Sequence, residues 1–235
     1  MSLTIKFYQD SQSHTCSYLE NRLAQNIYPD PNYPMSNKVY SQLIQFGFRR
    51  SGNHSYRPHC EGCQACIPVR INVNKFTPNR AQRRCLKRNQ HLMITSHPAE
   101  FNPEHFELYS RYLNTRHPDG GMDNPTKESY THFLTSFWSD TQFLEFRNES
   151  QLLGVAVTDF VDDGLSAFYT FFDPEFNDLS LGTYAILKQI EMARSQRCSS
   201  LYLGYWVADC RKMQYKQSFS ALEAYQDQQW QTLKT

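Results

Sequence analysis

The residues best equipped for chemistry gather near the C-terminus. There YLGYWVADCRKMQYK at 202–216 brings Tyr202, Tyr205, Cys210, Lys212, Tyr215 and Lys216 into one short stretch. Phenols beside ammonium groups suit a ligand that carries a carbonyl and anionic oxygens; an aromatic core with surface lysines is the plainer reading of the same letters. Upstream, FFDPEFNDLSLGTY at 171–184 offers Asp173 as a proton acceptor and a helix start at Gly182 and Thr183. The first N–H groups of a helix lack partners within it. A helix that begins right after a central strand therefore aims donors at whatever lies in front of the sheet. Ordinary helix capping would use the same letters.

A second concentration lies at 49–88, where forty residues hold ten Lys/Arg and four Cys but one acid, Glu61. Such a segment contributes little to a core, so its charge is better explained by an anionic partner. Cys60, Cys63 and Cys66, two residues apart, have the spacing of metal ligands, and Cys16 can complete a set of four for Zn or Fe–S. No second Cys-x2-Cys pair exists, and reduced structural thiols without metal are the expectation. Seven cysteines, an odd number, and an N-terminus without an apolar signal core fit a reducing, cytoplasmic setting. No apolar run reaches the 18 residues or so of a membrane span.

The formal net charge of +1 conceals a division. Residues 1–98 carry 13 Lys/Arg against 4 Asp/Glu, a net of +9, and residues 99–235 carry 11 against 19, a net of −8. A polyanion partner for the basic half accounts for this, as does attraction between the halves.

The elements that must position these groups follow from periodicity and punctuation. Strands are expected at Leu3–Tyr8 and Ile67–Val73, a short helix at Tyr18–Ile27, and a helix capped by Ser36 and stopped at Gly47. After Pro78 a helix to about Asn89 places Arg80, Arg83, Arg84, Lys87 and Arg88 on one face, with no acid opposing them. A strand at His91–His97 leads to Pro98, the expected boundary between a basic α/β domain, 1–98, and a second domain, 99–235. Helices are expected at about 103–116 and 125–138, capped by Asn102 and Asn124 around a turn at His117–Asn124. Strands at Gln142–Arg147, Leu152–Phe160 and Leu165–Phe172 follow, the last two forming a hairpin at Asp162–Gly164. A helix at 180–197, a strand at Ser200–Trp206 and short strands in the tail complete an α+β chain, a mixed sheet with flanking helices. Strand, glycine-bearing helix, strand after a hairpin is similar to the layout of GNAT-class acyltransferases, in which the acyl carbonyl lies between two parted strands. Here those would be 165–172 and 200–206.

In order along the chain, CSY at 16–18, GFRRSG at 47–52, YRPHCEGCQACIPVRI at 56–71, FTPNRAQRRCLKRN at 76–89, RHPDGG at 116–121, FFDPEFNDLSLGTYAILKQI at 171–190 and YLGYWVADCRKMQYK at 202–216 resemble the aminoacyl-tRNA–protein transferase family. The length and motif variants resemble its bacterial branch, the aspartate/glutamate leucyltransferases. The resemblance implies leucine transfer from leucyl-tRNA to proteins beginning with Asp or Glu, within the N-degron route of protein degradation. The arginyl branch has a cysteine pair near its N-terminus and an adjacent downstream pair implicated in Fe–S binding. This chain has Leu19 and Ala65 where those partners would stand, which argues against that cluster.

On this view the basic helix grips phosphates and 2′-hydroxyls of the tRNA. Arg49, Arg50 and Arg70 are the candidates to meet the acidic N-terminal residue, because a guanidinium fork pairs with a carboxylate. An aminoacyl ester is already activated, so aminolysis needs orientation and an oxyanion donor and no cofactor. Asp173 is the candidate base. The Gly182 and Thr183 amides or a Tyr202 or Tyr205 hydroxyl are the oxyanion donors. Lys212, Tyr215 and Lys216 are expected to hold the terminal adenosine. The rival readings are an acetyl-CoA-dependent enzyme, an arginyl-tRNA-dependent enzyme, and a non-catalytic RNA-binding or metal-sensing module. If about five phosphates are neutralised, the logarithm of tRNA affinity falls with the logarithm of salt concentration at a slope of roughly −3 to −5. Filter binding across a salt series measures it, and a flat response would remove the electrostatic account.

Overall fold

The chain reads as a computed structural model that describes residues 5–116 and 124–233. Its first part runs β1 (Phe7–Gln9), β2 (His14–Thr15), β3 (Leu23–Ala24), β4 (Asn26–Pro29), α1 (Asn37–Leu43), β5 (Arg49–Ser51), β6 (His54–Pro58), β7 (Ile67–Asn72), α2 (Arg80–Arg88) and β8 (Met93–Pro98). There follow α3 (Pro103–Arg116), α4 (Lys127–Leu134), β9 (Thr141–Asn148), β10 (Gln151–Val161), β11 (Gly164–Phe172), α5 (Leu181–Ser195), β12 (Ser200–Trp206), β13 (Leu222–Gln226) and β14 (Gln229–Thr232). Short 3₁₀ segments lie at Ile44–Phe46, Pro174–Leu179 and Arg211–Ser218.

The architecture is α+β around one large mixed sheet, in the order β14-β13-β7-β12-β11-β10-β9-β8. All its pairings are antiparallel except β11 with β12, which α5 connects as a crossover. A smaller sheet, β1-β4-β6-β5, is built from the N-terminal residues. β7 and β8 belong to the large sheet, so the boundary expected at Pro98 falls within a shared sheet, with β7 wedged between β12 and β13. No described helix is long and apolar enough to cross a membrane.

The large sheet is buried on both faces, which explains the near-continuous apolar run of β10. On one face Leu181, Ala185, Ile190 and Cys85, from α5 and α2, pack on Ile71, Leu144, Leu165 and Leu201. On the other, Leu108, Leu113, Tyr130 and Leu134 of α3 and α4 pack on Phe143, Val155, Val157 and Phe171.

Caps place several helices where the sequence puts them. Ser36 accepts from the Val39 N–H at 3.3 Å, and Gly47 takes the left-handed conformation, φ 82°, just past the helical segment. Asn79 and Gln82 form a reciprocal capping box at α2, and Asn102 accepts from the Glu104 N–H. Two expectations need correction. Residues 18–27 form no helix: the Asn26 N–H donates to Asp10, and β4 pairs with β1, so strand partners override local preference. The second interhelical cap is Thr126, in a box with Ser129, instead of Asn124. That helix stops at Leu134 because Trp138 turns in to pack on Tyr40 and to donate to the Asn53 carbonyl. The turn expected at His117–Asn124 and the first residues of Leu3–Tyr8 lie outside the described residues, apart from Asn124.

The two sheets are joined by a buried ion pair. Arg50 of β5 donates from Nε and Nη2 to Asp159 of β10 at 2.8 and 2.7 Å, with both side chains fully enclosed. Its Nη2 also reaches the Leu134 carbonyl, and its guanidinium carbon lies 4.0 Å from the Phe168 ring centroid. Removing one partner strands the other charge. Arg50→Met is therefore expected to lower stability by about 3–5 kcal/mol, and a second change, Asp159→Leu, to recover much of that. Urea denaturation of the two variants measures this; a double variant as unstable as the single one would show that the charges are not the cause.

Candidate active site

β11 and β12 pair only at their starts, with Gly164–Ser166 opposite Ser200–Tyr202. Beyond that they part, leaving carbonyls without ladder donors, a cost that must be met from elsewhere. Arg49 meets it. Its Nη1 donates to Leu203 O at 3.4 Å on β12, and its Nη2 donates to Phe168 O at 2.8 Å and Ala167 O at 3.4 Å on β11. Gly204 makes room: it has φ +73° beside a register shift, and a Cβ there would sit 1.4 Å from Arg49 Nη1.

The gap opens into a cleft of about 400 Å³ lined by Arg49, Tyr112, Arg116, Phe172, Asn177, Gly182, Thr183, Tyr215 and Lys216, among others. The first turn of α5 forms one wall, so the N–H groups of Gly182 and Thr183 lack intrahelical acceptors there. A Cβ on Gly182 would meet only the Phe172 ring, at 3.4 Å, so its absence widens the cleft. Lys216 is 5% exposed and donates to the Tyr205 carbonyl. Burial, with the Arg49 guanidinium beside it, pulls its ammonium down to about 7.

Of the residues singled out from sequence, Arg49, Gly182, Thr183, Tyr215 and Lys216 converge on this cleft and the others do not line it. Asp173 is buried. It caps the Pro174–Leu179 segment through the Glu175 N–H at 3.1 Å and accepts from Arg111 at 3.0 Å, so its carboxylate is engaged as a structural cap. The Tyr202 hydroxyl donates to Asp163 at 2.9 Å, and Tyr205 donates to Gly47 O at 2.8 Å. Burial pushes both phenols above their usual range. Arg50 is consumed by Asp159. Arg70 pairs with Glu223 at 2.8 Å and stacks on Trp230 at 4.4 Å, so neither arginine is placed for an incoming carboxylate. Lys212 is exposed on the Arg211–Ser218 segment.

The basic helix borders the site. Arg80, Arg83, Arg84, Lys87 and Arg88 are all exposed. Arg88 donates to the Asp178 carbonyl, and Asn89 Nδ2 donates to Leu179 O at 2.8 Å. α2 is thus bolted to the segment between β11 and α5 that rims the cleft.

Sequence reasoning missed Tyr112, Arg116 and Asn177. Arg116 donates to Asn177 and lies 5.6 Å from the Phe172 ring centroid. The wedge that Arg49 forms against Gly204 had a signal, since a lone glycine inside a strand pattern marks a bulge or a close approach.

Cys16, Cys60, Cys63 and Cys66 line a separate pocket of about 360 Å³. Burial and the neighbouring thiols push Cys66 up to about 12. Among the described residues no group of three or more ligating side chains is arranged to hold an ion.

The chain is similar in sequence to known proteins. The family models described as arginine-tRNA-protein transferase, N terminus, and arginine-tRNA-protein transferase, C terminus, match residues 14–84 and 104–226. Three proteins named aspartate/glutamate leucyltransferase are similar over nearly the whole chain. That of Teredinibacter turnerae is 49% identical, covering 96% of this chain and 93% of its own. That of Hahella chejuensis is 48% identical, covering 98% of both, and that of Thiobacillus denitrificans 50% identical, covering 98% and 95%. Among solved structures, L-PGS from Bacillus licheniformis aligns with a TM-score of 0.44 at 11% identity, covering 72% of this chain and 50% of that one. Two matched halves and near-complete relatives at about half identity place this chain in the arginine-tRNA-protein transferase family, among its aspartate/glutamate leucyltransferases.

Proposed function

We propose that this protein transfers leucine from leucyl-tRNA to the N-terminal α-amine of proteins that begin with Asp or Glu. The observation that carries the reading is a cation-lined gap between parted strands, bordered by a helix whose exposed face is basic. That helix suits the acceptor stem, and the gap suits the esterified end. The parallel pair that separates, with a helix start facing the opening, also supports assigning the large sheet to the GNAT type.

The chemistry follows from the ester. Its carbonyl lies at the start of α5, where the Gly182 and Thr183 N–H groups stabilise the negative charge that develops on oxygen. No covalent enzyme intermediate is required, because the acyl group arrives activated and needs chiefly to be held against the amine. The acceptor's carboxylate meets Arg116, the exposed cation of the cleft, instead of the enclosed Arg50.

The assay incubates the protein with radiolabelled leucyl-tRNA and with arginyl-tRNA, against peptides beginning with Asp, Glu, Ala and Lys. Leucine is expected on the Asp and Glu peptides only, in an RNase-sensitive reaction; label on none, or equal label on Ala and Asp peptides, would overturn the reading. Gly204→Ala tests the gap. Its Cβ displaces Arg49, so kcat is expected to fall at least about 10-fold while leucyl-tRNA affinity stays within about twofold. An unchanged kcat would detach the wedge from the reaction.

A further inference from the structure

Lys216 is buried without a counter-ion. Among the described residues no carboxylate lies within ion-pair distance of it, and its hydrogen bond goes to the Tyr205 carbonyl. An unpaired ammonium is costly in such a place, and a lysine resolves the cost by shedding its proton. The groups that face it come from several elements. Arg49 comes from β5, Tyr205 from β12, Cys210 from the loop after β12 and Tyr215 from its own segment, the Tyr215 ring centroid lying 5.8 Å from Nζ. Tyr112 and Arg116 of α3 share the cleft. Burial and the Arg49 guanidinium favour the neutral amine, against smaller contributions from Cys210 and the Tyr215 ring that favour the ammonium. Adenosine phosphate binding, the role expected from sequence, would want the opposite: a cation firmly held at neutral pH.

We propose that Lys216 is the proton carrier of the transfer, taking a proton from the attacking α-amine and giving it to the departing ribose oxygen. The inference rests on the functional reading above. Tyr205 O accepts from one Nζ proton, which orients the nitrogen and leaves its lone pair for the cleft. As the amine nitrogen bonds to the ester carbonyl carbon, one of its protons moves to Nζ. As the carbon–oxygen bond breaks, its electron pair stays on the ribose oxygen, which takes that proton from Nζ. The lysine ends as it began, and the products are an amide and a free ribose hydroxyl. Asp173, held by Arg111 and the Glu175 amide, is not needed as a base.

The test is the pH dependence of kcat/KM for an Asp peptide with leucyl-tRNA. Both the acceptor's amine, with an ordinary pKa of about 7.7–8.0, and Lys216, at about 7, must be neutral. Below about pH 6.5 the logarithm of the rate should therefore rise with a slope of about 2 in the wild type. In Lys216→Ala, where one titration is lost, the slope should be about 1. Lys216→Arg keeps a cation that cannot deprotonate, so kcat should fall about 100-fold or more, with the KM for leucyl-tRNA within about threefold. A wild-type slope of about 1, or full kcat in Lys216→Arg, overturns the proposal, and the wild-type profile decides even if both variants fail to fold. Absence of leucine transfer by the wild type would instead defeat the functional reading.

Discussion

The molecule depends on a single guanidinium placed between two strands that have stopped pairing. Parted strands expose carbonyls, and exposed carbonyls in a protein interior are expensive. Arg49 satisfies carbonyls on both β11 and β12, so the gap stays open without collapsing into a sheet or filling with side chain. The same group that makes the opening affordable gives it positive charge. Structure and chemistry are thus supplied by one residue.

What aims Arg49 is its neighbour. Arg50 is locked to Asp159 under Leu134 and Phe168, which fixes β5 against the large sheet. Two adjacent arginines divide the labour: one fastens the small sheet, and the other reaches from it into the large one. Gly204 completes the arrangement by leaving empty the volume that the second arginine occupies. The cleft therefore belongs to both sheets, and a change in how they meet alters the site.

Electrostatics then sorts the cations by task. Those on α2 are exposed, which suits a polyanion whose binding is reversible and salt-sensitive. In the cleft Arg49 and Lys216 are enclosed beside one another, and the one that can lose its proton, Lys216, is pushed to do so. Burial thus converts one lysine of a basic stretch from an anchor for phosphate into a group able to accept a proton near neutral pH.

Much of this was legible in the letters. The basic helix, its Asn79 cap, the hairpin at Asp162–Gly164, the helix starting near Gly182 and the order of family motifs all follow from local periodicity, turn chemistry and spacing, which act over a few residues. What the letters left open was the destination of each polar side chain. Arg49 and Arg50 are adjacent and of one type, yet one lines the cleft and the other is sealed away, because partners 84 to 154 positions distant decide it. Tyr202 and Tyr205 looked ready for chemistry, yet the fold ties their hydroxyls to Asp163 and Gly47, while Arg116, first residue of the RHPDGG stretch, carried no sign of which cleft it would enter. Sequence determined which elements form and what charge they carry. Tertiary structure alone decided which of those charges are solvated, paired or left buried without a partner, since desolvation depends on neighbours far away along the chain.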